Sequence, residues 1–103
     1  MPGWLKTTIL GKHIRIVQTR AFAKSLKKLK ANQKADLDKA VRAVVTDPLI
    51  GEQKKGDLAY LRVYKFSMVN QLTLLGYSFD DGDVVLQLIA LGSHENFYRD
   101  LKR

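Results

Sequence analysis

Two apolar stripes at helical spacing, one directly after the other, constrain this chain more than any other feature. In Arg20 to Lys30 (RAFAKSLKKLK), Phe22, Leu26 and Leu29 recur at i, i+4 and i+7, with Lys24, Lys27, Lys28 and Lys30 largely outside the stripe. In Gln33 to Thr46, Leu37, Ala40, Val41, Val44 and Val45 recur at i, i+3, i+4, i+7 and i+8. Thr19 is placed to cap the first helix, and Asn32 the second. Asp47-Pro48 ends the second, because the residue before a proline disfavours the helical region. Two amphipathic helices joined by so short a connection form an αα-hairpin. Neither stripe can stay in water, so both need an apolar sheet face.

The remaining patterns supply that face. His13 to Thr19 alternates, as a half-buried strand does. Pro48 to Gly56 (PLIGEQKKG) reads as a loop. Ala59 to Phe66 (AYLRVYKF) puts Leu61 and Val63 on one face and Tyr60, Arg62, Tyr64 and Phe66 on the other. Ser67 to Asn70 is a turn, and Gln71 to Phe79 is a third strand in which Gly76 marks a bulge or a close approach. Asp80-Asp81-Gly82-Asp83 is a hairpin turn. Val84 to Leu91 is nearly all apolar, as in a central strand, and Asn96 to Arg103 forms a short helix. Three hairpin-connected strands are antiparallel neighbours. The expected fold is α+β: a small, mainly antiparallel four-stranded sheet with two N-terminal helices on one face and a short C-terminal helix. Residues 1–12 read as a lead-in in which Trp4 and Leu5 pack on the domain edge, and 13–103 as one domain.

Composition narrows the function. The 103 residues contain no cysteine, which rules out a disulfide framework and thiolate chemistry, and two distant histidines make a poor metal site. No cofactor is expected. No apolar run approaches the ~20 residues of a membrane span, and the N-terminus lacks a signal peptide's apolar core, so the expected location is the cytoplasm. Net charge is +8, and it is unevenly spread. Residues 1–46 hold 11 Lys and Arg against 2 acids, whereas 47–103 hold 7 against 8. The positive field of the N-terminal half favours a polyanionic partner, nucleic acid or an acidic protein.

One segment carries chemistry. The apolar run Leu88-Ile89-Ala90-Leu91 stops at Gly92, and Ser93, His94, Glu95, Asn96, Phe97 and Tyr98 follow. A strand that breaks at a glycine fixes the position of what comes next, here a histidine, the residue best suited to proton transfer near neutral pH. His94 is therefore the candidate acid or base.

With these residues in view, the chain resembles the RelE/ParE superfamily of type II toxin–antitoxin toxins. The resemblance rests on Phe22 to Leu29, on Lys55-Gly56-Asp57-Leu58 followed by Leu61-Arg62-Val63, and on Leu91-Gly92-Ser93-His94-Glu95-Asn96-Phe97-Tyr98. The Gly-Ser-His ending is similar to the YafQ branch. The resemblance implies a ribosome-dependent mRNA endonuclease held inactive by a cognate antitoxin; the alternative within the superfamily is a ParE-like inhibitor of DNA gyrase without nuclease residues. It implies His94, Arg62 and Tyr98 as catalytic residues. Arg62 would meet the scissile phosphate, and Tyr98 would stack on a base or pin the terminal helix. Lys54, Lys55 and Tyr64 would contact the RNA near the cut, and Lys27 and Lys28 would grip ribosomal RNA without reading sequence. The chain departs from the nuclease pattern in having no histidine between residues 48 and 75.

Overall fold

The two stripes find the sheet they require. The computed structural model describes residues 6–9 and 12–101, with side chains placed for 14–99 and 101. In chain order the elements are β1 (Lys6–Ile9), β2 (Lys12–Gln18), α1 (Arg20–Lys27), α2 (Ala31–Thr46), β3 (Glu52–Gln53), a 3-10 turn at Gly56–Leu58, β4 (Arg62–Met68), β5 (Gln71–Asp80), β6 (Val85–Gly92) and α3 (His94–Leu101). One sheet orders its strands β1-β2-β6-β5-β4-β3. Every pairing is antiparallel except β2 with β6, where Arg15 to Gln18 run alongside Val85 to Leu88.

The four expected strands are present, and two more sit at the edges. β1 forms a ladder with β2 from Lys6↔Arg15 to Ile9↔Lys12. Residues 6–9 therefore belong to the sheet, not to a lead-in; their pattern, Lys-Thr-Thr-Ile, is too short to show a period. Trp4 and Leu5 lie outside the described residues. β3 is only two residues long, paired with Arg62 and Val63, too short to be seen in a loop sequence.

Helix boundaries follow local hydrogen bonds. Thr19 caps α1 as expected, its hydroxyl accepting from the Phe22 N–H at 3.1 Å. α1 ends at Lys27, where the Lys28 and Leu29 amides turn back to Ser25 and Leu26. Leu29 is thus outside the helix, yet still packs on the core. α2 starts at Ala31, because the Gln33 side chain accepts from the Lys30 N–H at 2.8 Å and fixes the turn there. Lys30, not Asn32, is the residue at the cap.

The sheet has two apolar faces. On the first, Phe22 and the α2 stripe (Leu37, Ala40, Val41, Val44, Val45) cover Ile14, Ile16, Leu75, Tyr77, Leu86 and Leu88. On the second, α3 lays Phe97 over Leu61, Val63 and Leu74. Each of these large side chains removed from water contributes about 1.5–3 kcal/mol. Gly76 makes the second contact possible: a Cβ there would stand 2.5 Å from the Phe97 ring. The register slips at the same place, between Gly76 and Tyr77, so that Ala90 and Leu88 face them and Ile89 is extra. Ile89 and Ala90 then both pack on the second core, which is what a bulge does.

The sequence reading of Gly76 as a bulge or close approach is met in both senses. Gly76→Ala should overpack this contact, destabilising the protein by about 1–3 kcal/mol. Urea denaturation reads the effect, and an unchanged midpoint would show that α3 is not seated through Gly76.

Candidate functional site

The site begins with a loop that the sheet holds by its backbone. After α2, residues 48–51 turn toward the sheet edge. The buried Tyr77 hydroxyl donates to the Pro48 carbonyl at 2.7 Å and accepts from the Gly51 N–H at 2.9 Å. Gly51 must lack a side chain, because a Cβ would lie 2.8 Å from the Tyr77 ring and hydroxyl. Arg62 completes the clamp: its Nη1 donates to the Leu49 and Gly51 carbonyls at 3.2 and 2.8 Å. Burial pushes the Tyr77 phenol above its ordinary pKa, outweighing the Gly51 hydrogen bond and the nearby Arg62 charge. The phenol therefore keeps its proton and can donate.

This clamp delivers β3 and Lys54. The Lys54 N–H donates to the Leu61 carbonyl at 2.9 Å, and the side chain reaches toward α3. Its ammonium lies 5.7 Å from the centre of the Tyr98 ring and 3.1 Å from the Glu52 carboxylate. α3 starts at His94 rather than Asn96, because the Phe97 N–H donates to the Ser93 carbonyl at 2.8 Å and closes the first turn. His94 and Tyr98 are therefore one helical turn apart, with rings edge to face at 5.3 Å. Tyr98 also meets Phe97 edge to face at 5.0 Å, which ties it to the second core. Lys54, Tyr98 and the exposed His94 form one surface cluster. Hydrogen bonding with Tyr98, then with Glu52, holds the Lys54 pKa above its ordinary value. The hydrogen bond and charge of Lys54 hold Glu52 below its own. The cluster thus presents a fixed cation, a phenol and an imidazole side by side.

A family model of ParE-like toxins of type II bacterial toxin–antitoxin systems matches residues 16–102. The chain belongs to this toxin family. No curated protein matches it by sequence. Among solved structures, the toxin resembles the Escherichia coli RelBE toxin–antitoxin complex (TM-score 0.61, 23% identity, 76% of this chain and 93% of that one). It also resembles a doubly substituted E. coli RelE in the free state (TM-score 0.63, 22% identity, 79% and 83%) and isolated E. coli RelE (TM-score 0.59, 23% identity, 85% and 95%). At these identities the likeness is one of fold.

The other expected site residues of the toxin lie elsewhere. Arg62 and Tyr64 alternate with Val63, which faces α3, so they point to the opposite face of the sheet. Tyr64 stacks on Phe66, centroids 6.3 Å apart, and packs against the helix-side core. Arg62 lines a groove of about 620 Å³ between the end of α2 and the β5–β6 turn. The structure thus separates Arg62 and Tyr64 from His94, because the strand period of two assigns them to the covered face. Lys55 is exposed and adds only a weak attraction to Glu52. Lys27 and Lys28 are exposed on and just after α1. Glu52, Gly51 and Tyr77 escaped the sequence reading. Glu52-x-Lys54 does have the i, i+2 spacing of one strand face, but no period marks so short a strand.

Tyr77→Phe strands the Gly51 N–H and Pro48 carbonyl, and should cost about 1–3 kcal/mol in a denaturation titration; a smaller loss would show that the loop is held by Arg62 alone. In a carbon-13 titration, the Glu52 carboxyl should titrate below its ordinary 4.5 and the Lys54 ε-carbon above its ordinary 10.5. The lowered Glu52 value means its stabilisation is full above 4.5 and lost as pH falls through the folded value. The raised Lys54 value means its stabilisation is full below 10.5 and lost as pH rises through the folded value. Glu52→Gln should bring the Lys54 value down; no change would show that Glu52 plays no part.

Proposed function

We propose that this toxin cuts mRNA at the ribosome, in the cytoplasm, and that a cognate antitoxin silences it. The observation that supports the reading most is the Lys54–Tyr98–His94 cluster. RNA can be cut by its own 2′-hydroxyl. The O2′–P bond forms, the P–O5′ bond breaks, one proton leaves O2′ and one reaches O5′. An enzyme must move those protons and stabilise the extra charge on phosphorus. Lys54, kept cationic, serves the charge. His94, exposed against the Tyr98 ring, serves the protons, and that ring offers a face for a base. The phosphate-facing role expected of Arg62 passes to Lys54; Arg62 acts at one remove, by fixing the loop that carries Lys54.

The antitoxin reading draws on the E. coli neighbour solved as a toxin–antitoxin complex and on the basic N-terminal half. A partner with an acidic, amphipathic segment suits that charge. One observation favours a second reading, gyrase inhibition without cleavage: Arg62 is held by loop carbonyls and does not face His94.

Toeprinting of mRNA translated in the presence of the purified toxin separates the two. Cleavage within the translated frame is expected, with supercoiling by gyrase unaffected. His94→Ala should reduce cleavage by roughly 10²–10⁴-fold with folding intact. A folded His94→Ala toxin that cuts at full rate would defeat this assignment, and blocked supercoiling without cleavage would put the gyrase reading in its place.

A further inference from the structure

α1 does more than cover the core. β2 stops pairing at Gln18↔Leu88, while β6 continues to Gly92. The chain crosses that open end at Thr19, whose N–H donates to the Leu88 carbonyl at 2.9 Å and whose hydroxyl donates to the Ile89 carbonyl at 2.6 Å. α1 is thereby fixed beside the last residues of β6, on the sheet face opposite α3. Between the two helices lies a cleft of about 480 Å³. Ala21, Lys24 and Lys28 form its α1 wall, Ala90 and Leu91 its floor, and Phe97 its α3 side.

The lining is specific in its chemistry. Lys24 and Lys28 are exposed, and neither side chain has a hydrogen-bond or ion-pair partner among the described residues. They stand at i and i+4, with β-carbons about 5–6 Å apart, a spacing close to that of successive phosphates on an extended strand. No acidic residue lines the cleft among those described. The floor is the half-buried apolar surface of Ala90 and Leu91, a place for a planar ring, and it presents no exposed bulky anchor. An amphipathic protein helix needs such anchors, yet the exposed large hydrophobic residues, Leu49, Ile50, Tyr60, Val69 and Leu72, all lie elsewhere.

We infer that the α1–α3 cleft is a subsite for single-stranded RNA, with two phosphates on Lys24 and Lys28 and the base between them on the Ala90–Leu91 floor. This deepens the mRNA-cutting reading and rests on it. α3 stands between this cleft and the Lys54 cluster, with Phe97 toward the core and Tyr98 toward Lys54. His94, the first residue of α3, follows three residues after Leu91 of the cleft floor. The cleft holds the strand a short distance from the bond to be cut and leaves the reacting nucleotide free.

The test is fluorescence anisotropy of the full-length toxin with a short RNA whose 2′-positions are methylated, so that it binds without being cut. Replacing both Lys24→Ala and Lys28→Ala should weaken binding roughly tenfold and flatten the slope of log affinity against log salt by about 0.7 for each lysine. Replacing both Lys34→Ala and Lys39→Ala, an equal charge loss outside the cleft, should leave both unchanged. Ala21→Trp fills the cleft without changing charge. It should weaken RNA binding, and its penalty should vanish with an oligonucleotide lacking bases. If the lysine pair binds RNA like the unsubstituted toxin while toeprints still show cleavage, the subsite is overturned and the nuclease reading stands. If the unsubstituted toxin neither binds RNA nor cuts it at the ribosome, both fall. If the lysine pair loses an acidic antitoxin peptide but keeps RNA, the cleft belongs to a protein partner and the inference is wrong.

Discussion

A single buried phenol holds this structure's working parts in register. The Tyr77 hydroxyl sits where β5, the loop after α2 and the start of β3 converge, donating to Pro48 and accepting from Gly51. A polar atom in that position costs free energy unless both of its bonds are made. The backbone of 48–51 is therefore drawn to one place, and Arg62 holds the same stretch through two carbonyls. Lys54 follows a few residues later, its amide bonded to Leu61. The geometry of the exposed cluster is thus set from inside the sheet, by residues that face away from it.

The sheet is sandwiched unevenly. α1 and α2 close one face with a broad aliphatic core, while α3 closes part of the other through Phe97 seated on Gly76. A two-turn helix has little stability of its own. α3 is ordered because one aromatic ring fits a hollow that only glycine can leave. The residue that anchors it is also the neighbour of Tyr98, so packing and surface chemistry share one turn of helix. The bulge at Ile89 serves the same end, turning two consecutive apolar side chains toward α3.

Much of this was legible in the residues. The stripes Phe22–Leu26 and Leu37–Val41–Val44 have a period that only a buried helix face explains, Leu29 continues the first stripe just past the helix end, and Gly76 inside an apolar strand signalled close approach. The alternation of β4 correctly grouped Arg62 with Tyr64 and Phe66. It could not reveal which face the helices would take, because Leu61 and Val63 are as apolar as Tyr64 and Phe66, and both faces are in fact covered. The expectation of Arg62 at the scissile phosphate comes from the family resemblance, and the alternation of β4 alone could not test it. β3 was invisible because two residues carry no period. The start of α3 was placed two residues late, because Gly92-Ser93 reads as a turn until the Ser93 carbonyl is seen to accept from Phe97. The Lys54–Tyr98 contact joins residues far apart in sequence, and no local pattern encodes it.

The parallel pairing of β2 with β6 has a consequence for how the protein comes into being. Thr19 and Ile89, bonded through a side chain, are 70 residues apart. The strand that lies in the middle of the sheet is the last of its strands to be synthesised. Until it arrives, β2 has only β1 as a neighbour, and the apolar stripes of α1 and α2 have half a sheet to rest on. Contacts of such long separation form slowly, since the closure entropy is spent before they return anything. A nascent chain of this topology has no completed core until β6 has emerged. Its cluster, which needs α3 beyond β6, assembles only after the rest of the sheet. Connectivity alone therefore gives the cell an interval in which a partner can meet the toxin before the toxin is whole.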